Sequence, residues 1–417
     1  VTATDAGGTA VVSVVICAFT EERFDDLVAA IRSAQQQISP TREIITREII
    51  VVIDHNEALL ERLDREVSGI TVIANSGRKG PSDARNCGVA RTTGDIVAFL
   101  DDDVIADPDW LSKLIGPYRD PDVIGVGGFV APRWDEERPS WFPPEFDWVI
   151  GCSYHGLPEV TAPIRNFIGG NMSFRREALV SSGGFDPAFR PSGANATGCE
   201  ETELCIRVTR ESGGLLIHEP SARVTHHVPA KRTTWRYFTR RCRNEGRAKA
   251  TVARLAGPDQ ALATERRYLR SVIPRRLATC LNPFSREDGG LAMAAAVMLG
   301  VMTTALAYVA ATLVPRSLRD TVRPGSWRGW LGLGVIAGLW AATFQWTVLI
   351  DHMTGIGLVS VLPLVYWLAV GLLTISFWFW VRWRRAGPGL LGGHVVLLLA
   401  IVHATPAILY GTTRYSW

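Results

Sequence analysis

Ile96-Val97-Ala98-Phe99-Leu100-Asp101-Asp102-Asp103 is a short apolar run that ends in three adjacent carboxylates. Such a run, with Gly94-Asp95 as the turn before it, reads as a buried strand. Three neighbouring carboxylates repel one another unless a cation is held among them. Oxygen ligands suit the hard ions Mg2+ and Mn2+, which keep waters and substrate phosphates in their shell. The triplet therefore points to a nucleotide-type substrate. A solvated turn that caps the next helix is the plainer reading of the same residues, and the surrounding sequence decides between the two.

Upstream, strand and helix patterns alternate: a strand over 11–18, an amphipathic helix over 24–37 and a strand over 48–53. A short strand over 72–75, a helix over 82–91 and the strand over 96–100 follow. This order predicts an α/β fold with a mostly parallel sheet, whose ligands sit at the carboxyl ends of the strands. Asp54 and Asp101 to Asp103 both stand at such ends. The pentapeptide Thr-Arg-Glu-Ile-Ile occurs twice in tandem, at 41–45 and 46–50. Only the second copy is expected to lead into the strand, with the first lengthening the loop.

Taken in order, these residues resemble the family 2 glycosyltransferases of the GT-A fold, over roughly residues 11–250. The opening Ser-Val-Val-Ile-Cys-Ala-Phe-Thr-Glu stands where that family has a strand and a polar loop under the nucleotide base. Cys17-Ala18-Phe19-Thr20 replaces the usual Pro-x-Tyr-Asn. Asp54 takes the place of the base-contacting Asp, followed by His55-Asn56 rather than Asp-Gly-Ser. Asn75-x-Gly77 through Ser82-Asp83-Ala84-Arg85-Asn86-x-Gly88, and then residues 94–103, match the helix start and acidic motif of the family.

The resemblance implies a nucleotide-sugar site of Ala18, Phe19, Glu21, Asp54, Asn75, Lys79, Arg85, Asp101 and Asp102. It implies Mn2+ or Mg2+ held by Asp103 with Asp101 and His226, for which His227 competes. For Lys79 and Arg85 a structural ion pair is an equal reading.

The acceptor side is expected from Gly169-Gly170-Asn171-Met172-Ser173-Phe174-Arg175 and Gly198-Cys199-Glu200-Glu201-Thr202-Glu203-Leu204. Transfer to a hydroxyl needs a base. Inverting family members carry Glu-Asp where this chain has Glu200-Glu201, so Glu201 leads as base and Glu200 follows. First-turn carboxylates that cap a helix beginning near Thr202 are the bland alternative. Gly170, Asn171, Trp141, Arg240 and Arg241 complete the expected acceptor site. The aromatic stretch over 132–156 is read as stacking on sugar, lying on a bilayer or simply packing. The Gln-x-x-Arg-Trp motif of processive synthases is absent from the sequence. Ile53-Asp54-His55-Asn56 with the Arg-rich tail after Pro229 is similar to glucuronosyltransferase-like members.

Composition changes near Gly289, where charged residues give way to uncharged runs over 290–314, 329–350, 353–381 and 386–413. Each is long enough to cross a bilayer, which takes about 20 apolar residues. The expected organisation is a cytosolic catalytic domain over 1–250, a basic amphipathic linker over 251–289, and a transmembrane domain of about four helices over 290–417.

Four crossings place Arg316, Arg319, Arg323 and Arg328 outside, against the positive-inside rule, whereas three reverse this. Between Arg223 and Arg286 sixteen Lys or Arg face three acids, which suits anionic membrane lipid better than nucleic acid. The seven cysteines hold no Cys-x-x-Cys pair, as fits a reducing compartment. A stretch over 11–19 without a basic leader is read as a strand rather than a signal peptide.

The expected activity is metal-dependent, inverting transfer of one sugar from a nucleotide-sugar to a polyprenyl-linked acceptor at a bacterial inner membrane. A homo-oligomer is compatible with it. The rival readings are a polyprenyl-phosphate sugar synthase and, from another class, a flippase or export protein with a nucleotide-sugar sensor.

Overall fold

The computed structural model describes residues 10–38, 44–187, 199–257, 262–282 and 290–313. The chain opens with β1 (Ala10–Ala18), a 3-10 turn (Glu21–Arg23), α1 (Phe24–Gln35), β2 (Ile44–Ile53), α2 (Glu57–Glu66) and β3 (Thr71–Ala74). It continues through α3 (Pro81–Val89), β4 (Ile96–Asp101), β5 (Val104–Ala106), α4 (Trp110–Ile115), β6 (Val123–Trp134) and a 3-10 segment (Pro144–Ile150). Then come β7 (Ala162–Pro163), β8 (Asn171–Arg175), α5 (Arg176–Ser181), α6 (Glu200–Ser212) and β9 (Leu215–Val228). Helices α7 (Trp235–Ala256), α8 (Ala263–Arg267), a π turn (Tyr268–Val272), α9 (Ile273–Leu281) and α10 (Gly290–Leu313) follow.

The strands form one sheet in the order β3-β2-β1-β4-β8-β6-β9-β5, with β7 paired to β9. The expected α/β alternation is present, but the sheet is mixed rather than mostly parallel. β1 to β4 run parallel, whereas β8 is antiparallel to both β4 and β6, and β5 is antiparallel to β9. Strand periodicity explains the two-sided core. Val12, Val14, Ile16, Ala98 and Leu100 bury against Leu27 and Ile31 of α1, while Val15, Val97 and Phe99 bury with Ala84 of α3 and Leu204 of α6. Gly88 lets α3 approach closely, since a Cβ there would lie 2.5 Å from a Val15 methyl.

Two local expectations are corrected. β2 starts at Ile44, inside the first copy of the pentapeptide, and a register shift opposite Val12/Ser13 absorbs the extra residue as a bulge. Asn56 is a helix cap, its side chain accepting from the Leu59 N–H at 3.0 Å, and so starts α2, which the strand pattern alone did not show.

Helix α7 lies along α10 so closely that a Cβ at Gly246 would stand 2.1 Å from the Thr304 carbonyl. Among the described residues α10 is the one helix long and apolar enough to cross a membrane. Leu291, Met298, Leu299, Met302, Leu306 and Val309 are exposed on it. The expected crossings over 329–350, 353–381 and 386–413, with the arginines between them, lie outside the described residues.

Candidate active site

Strand β4 ends at Asp101, and the register pairing Val104 of β5 with His226 of β9 sets His226 beside Asp103. His226 Nε2 is 3.3 Å from Asp103 Oδ1. Asp103 Oδ2 accepts from Arg23 at 2.6 Å and from Arg232 at 3.2 Å. Burial works to raise the Asp103 pKa, but the His226 hydrogen bond and the charges of His226, Arg232 and Arg23 hold it below the ordinary carboxylate range. Asp102 pairs with Arg23 at 2.9 Å through one oxygen, and its other oxygen is enclosed without a partner. Burial, against the pull of Arg23, pushes Asp102 up to about 8. His226 lies within β9. His227 turns away from the triplet, bridging Asp26 at 2.7 Å and Asp135 at 2.5 Å.

Asp101 does not join Asp103. It is the open member of the triplet, its side chain 41% exposed, and it meets Arg85 at 3.2 Å. Among the described residues no group of three His, Cys, Asp or Glu is placed to share one ion. Of the expected metal residues, the structure brings Asp103 and His226 together and leaves Asp101 apart. That pair is closed on itself and on guanidinia: besides Arg23 and Arg232 on Asp103, an Arg232 amino group lies 2.9 Å from His226 Nε2, and the nearby Asp102 oxygen is the partnerless acceptor. His226 is itself braced, its Nδ1 lying 3.3 Å from the buried Cys152 Sγ.

The expected base pocket is partly self-satisfied. Asp54 accepts from Asn75 at 2.7 Å and from the Gly80 N–H at 2.9 Å, and meets His55 Nδ1 at 2.8 Å. Asp54 and Asn75 thus knit the turn over 75–80, which carries the exposed Lys79. Above it Phe19 is 50% exposed with Arg23 stacked on its ring at 4.9 Å. Ala18 is buried, and Glu21 is exposed on the 3-10 turn.

Across the cleft, α6 begins at Glu200, immediately after Cys199, whose φ of 85° is left-handed. Arg85 of α3 is buried and reaches three acids: Asp101, Glu200 at 3.5 Å and Glu201 at 3.4 Å. Burial and then the neighbouring Glu201 charge push Glu200 up to about 8, against the pull of Arg85. Glu201 is the more open of the two, its side chain 18% exposed against 9% for Glu200. The Gly169-Gly170 pair closes the floor, because a Cβ at Gly169 would fall 2.2 Å from Glu201 Oε1 and one at Gly170 would fall 3.2 Å from Asp101 Oδ2.

The Cys199 thiol donates to Glu245 at 3.5 Å. Glu245 meets Lys249 at 3.3 Å, Lys249 meets Glu265 of α8 at 2.7 Å, and Arg165 grips Glu265 with both amino groups at 2.6 and 2.8 Å. A chain of alternating charges thus joins the start of α6 to the loop that leads into Gly169-Gly170.

Other expected acceptor residues sit elsewhere. Asn171 is a core residue, accepting from Trp110 Nε1 at 2.8 Å and donating to the Phe129 and Ala222 carbonyls at 3.1 and 2.9 Å. Trp141 stacks on Trp235 at 4.0 Å and packs edge-on to Phe238, so for this ring packing is the observed role. Arg240 is exposed over the Tyr237 ring. Arg241 is partly buried beside Glu200. No sequence motif marks Arg23, Cys152 or the role of Arg232. Arg23 lies just past the first strand, where a basic residue among acids gave the one available signal.

A carboxylate beside a histidine, faced by guanidinia and by a second acid pair on a helix start, gathers acids and bases from distant parts of the chain into one site. The glycosyl transferase family 2 profile matches residues 13–182. The chain is 30% identical over 316 residues to the glucosyl-dolichyl phosphate glucuronosyltransferase of Haloferax volcanii, covering 74% of this chain and 99% of that protein. It is 27% identical over 226 residues to the succinoglycan biosynthesis protein ExoM of Rhizobium meliloti, covering 52% of this chain and 68% of that one. Among solved structures, the mannosyltransferase of Pyrobaculum calidifontis in complex with GDP-Man and Mn2+ aligns with a TM-score of 0.45 at 18% identity, over 72% of this chain and 89% of that one. The chain belongs to glycosyltransferase family 2.

Proposed function

We propose that this chain moves one sugar from a nucleotide-sugar to a hydroxyl of a lipid-phosphate-linked saccharide at a membrane, using a divalent ion at Asp103 and His226. The observation that carries the reading is the sharing of Arg85 by Asp101, Glu200 and Glu201. The acid that ends β4 and the acids that start α6 converge on one guanidinium, so donor and acceptor groups lie within one side chain's reach.

Glu201 takes the proton of the attacking hydroxyl as its oxygen bonds to the anomeric carbon and the bond to the diphosphate oxygen breaks on the opposite face. Arg23 and Arg232 stand beside Asp103, where the charge of the leaving diphosphate develops. When bound, Mn2+ or Mg2+ supplies Lewis-acid neutralisation of the same diphosphate. Phe19 offers its exposed ring to the nucleotide base. Helix α10 and the exposed Arg236, Arg243, Arg267 and Arg270 support attachment to an anionic membrane. The name of the Haloferax relative pairs a glucosyl-dolichyl phosphate with a glucuronosyl group, and these substrate classes are the first to assay.

Transfer is measured from UDP-, GDP- and dTDP-sugars, UDP-glucuronate included, to prenyl-phosphoglucose and polar lipid extract, with Mn2+ present. Wild type is expected to label a lipid product, and Asp103→Ala to lose it by on the order of 10³-fold. No product across the panel overturns the reading. Labelling of bare prenyl phosphate with Glu200→Gln and Glu201→Gln tolerated replaces it with a prenyl-phosphate sugar synthase.

A further inference from the structure

Arg241 differs from the other arginines that border the acids. Arg23 faces Asp102 and Asp103, Arg85 faces Asp101 with Glu200 and Glu201, and Arg232 faces Asp103. Arg241 is partly buried on α7, and its one hydrogen bond to a described residue runs from Nε to the Val149 carbonyl at 3.3 Å. Its terminal amino groups meet no carboxylate, and neither is among the wholly enclosed polar atoms without partners. The acid one helical turn along, Glu245, is committed to Lys249 and Cys199. Burial works to lower the Arg241 pKa, but the neighbouring Tyr237, Glu245, Cys199 and Glu200 raise it. Arg241 thus keeps its charge while both terminal amino groups stay off the described carboxylates, so its fork is open to an anion that arrives with a ligand.

The position of Arg241 selects which anion. The donor diphosphate is already met by Arg23 and Arg232 at Asp103. Arg241 lies on the other flank, on the helix held between the Glu200-Glu201 pair and α10. One turn before it Phe238 meets α10, where a Cβ at Gly300 would touch the Phe238 ring at 3.0 Å, and one turn after it Gly246 abuts Thr304 and Tyr308. An acceptor with its hydroxyl at Glu201 and its lipid beside α10 must place its linking group between the two.

We propose that Arg241 binds the phosphate that joins the acceptor sugar to its lipid. The planar fork of the guanidinium matches two phosphate oxygens, and Val149 fixes its tilt through Nε. The inference rests on the transferase reading above and adds to it the group that recognises the linking phosphate of the acceptor.

The test uses the purified full chain in detergent with farnesyl phosphate, and farnesol as the control lipid. Arg241→Gln is expected to weaken farnesyl phosphate binding at least tenfold while farnesol and UDP bind as to wild type. Arg241→Lys, which keeps the charge and loses the fork, is expected to fall between, and it carries the test if Arg241→Gln does not fold. In transfer assays the wild-type preference for prenyl-phosphoglucose over octyl glucoside should collapse in Arg241→Gln. Equal farnesyl phosphate binding by wild type and Arg241→Gln overturns the proposal, even where transfer itself is intact. Loss of UDP-glucuronate binding with farnesyl phosphate binding kept places the anion on the donor and also overturns it. Absence of transfer by wild type to either acceptor, with phosphate binding still dependent on Arg241, sinks the transferase reading and not the anion site.

Discussion

The side of the site proposed for the donor and the side proposed for the acceptor are built in opposite ways. On the donor flank the acids are consecutive in sequence, at and just past the end of a buried strand, with their counter-charges brought by Arg23, which follows β1, and by Arg232. On the acceptor flank two acids at the start of α6 are placed by residues from α3, α7, α8 and the 165–170 loop. The first is a strand-end motif with its own neutralising shell. The second is a tertiary assembly, and its chemistry depends on segments near the apolar helix.

If that contrast holds, substitutions on the two flanks should separate in kind. Glu201→Gln is expected to cost about 10³-fold in kcat with donor affinity little changed, the size of a lost general base. A full loss in Glu200→Gln with Glu201→Gln active reverses the assignment. Arg85→Met strikes both flanks, and a loss of about 10²-fold in kcat/KM is expected, with donor and acceptor KM both raised. A rise in donor KM alone would confine Arg85 to the donor flank.

Cys152→Ala removes the brace behind His226, and the Mn2+ concentration for half-maximal activity should rise about tenfold, with Cys152→Ser restoring it. An unchanged Mn2+ response would detach Cys152 from the metal. The smallest effect concerns stability. Glu200 is raised in the folded state, so its stabilising contribution is complete below its unfolded value near 4.5 and is lost as pH climbs through about 8. Glu200→Gln should therefore raise Tm by a few degrees at pH 9 and leave it nearly unchanged at pH 5. A parallel shift at both pH values would count against burial as the cause.

The contrast between the flanks also explains what could be read in the sequence. β1, β4 and the Asp triplet were legible because strand period and turn signals are local, and the bracketing of Asp103 by His226 followed from motif order. The reversal of β8 between β4 and β6 was not, since five residues of strand pattern carry no direction. Asn171 was misplaced because a polar residue after Gly-Gly looks accessible, whereas its amide is used up holding Trp110 to two carbonyls inside the sheet. Trp141 was assigned to the acceptor by residue type alone, and its partner Trp235 lies 94 residues away. The α8 and α9 stretch read as basic linker because its charge is visible and its partners, Arg165 for Glu265 and Glu145 for Arg276, are remote in sequence.

The chain of charges from Arg165 through Glu265, Lys249 and Glu245 to Cys199 has a consequence for anyone who wishes to cut or graft this enzyme. A soluble fragment ended after Ala250 would keep every motif that identifies the family, yet it would lack Glu265 and leave Arg165 and Lys249 facing each other's charge. Because α7 packs in turn on α10, the unit that keeps these contacts whole runs on to Leu313.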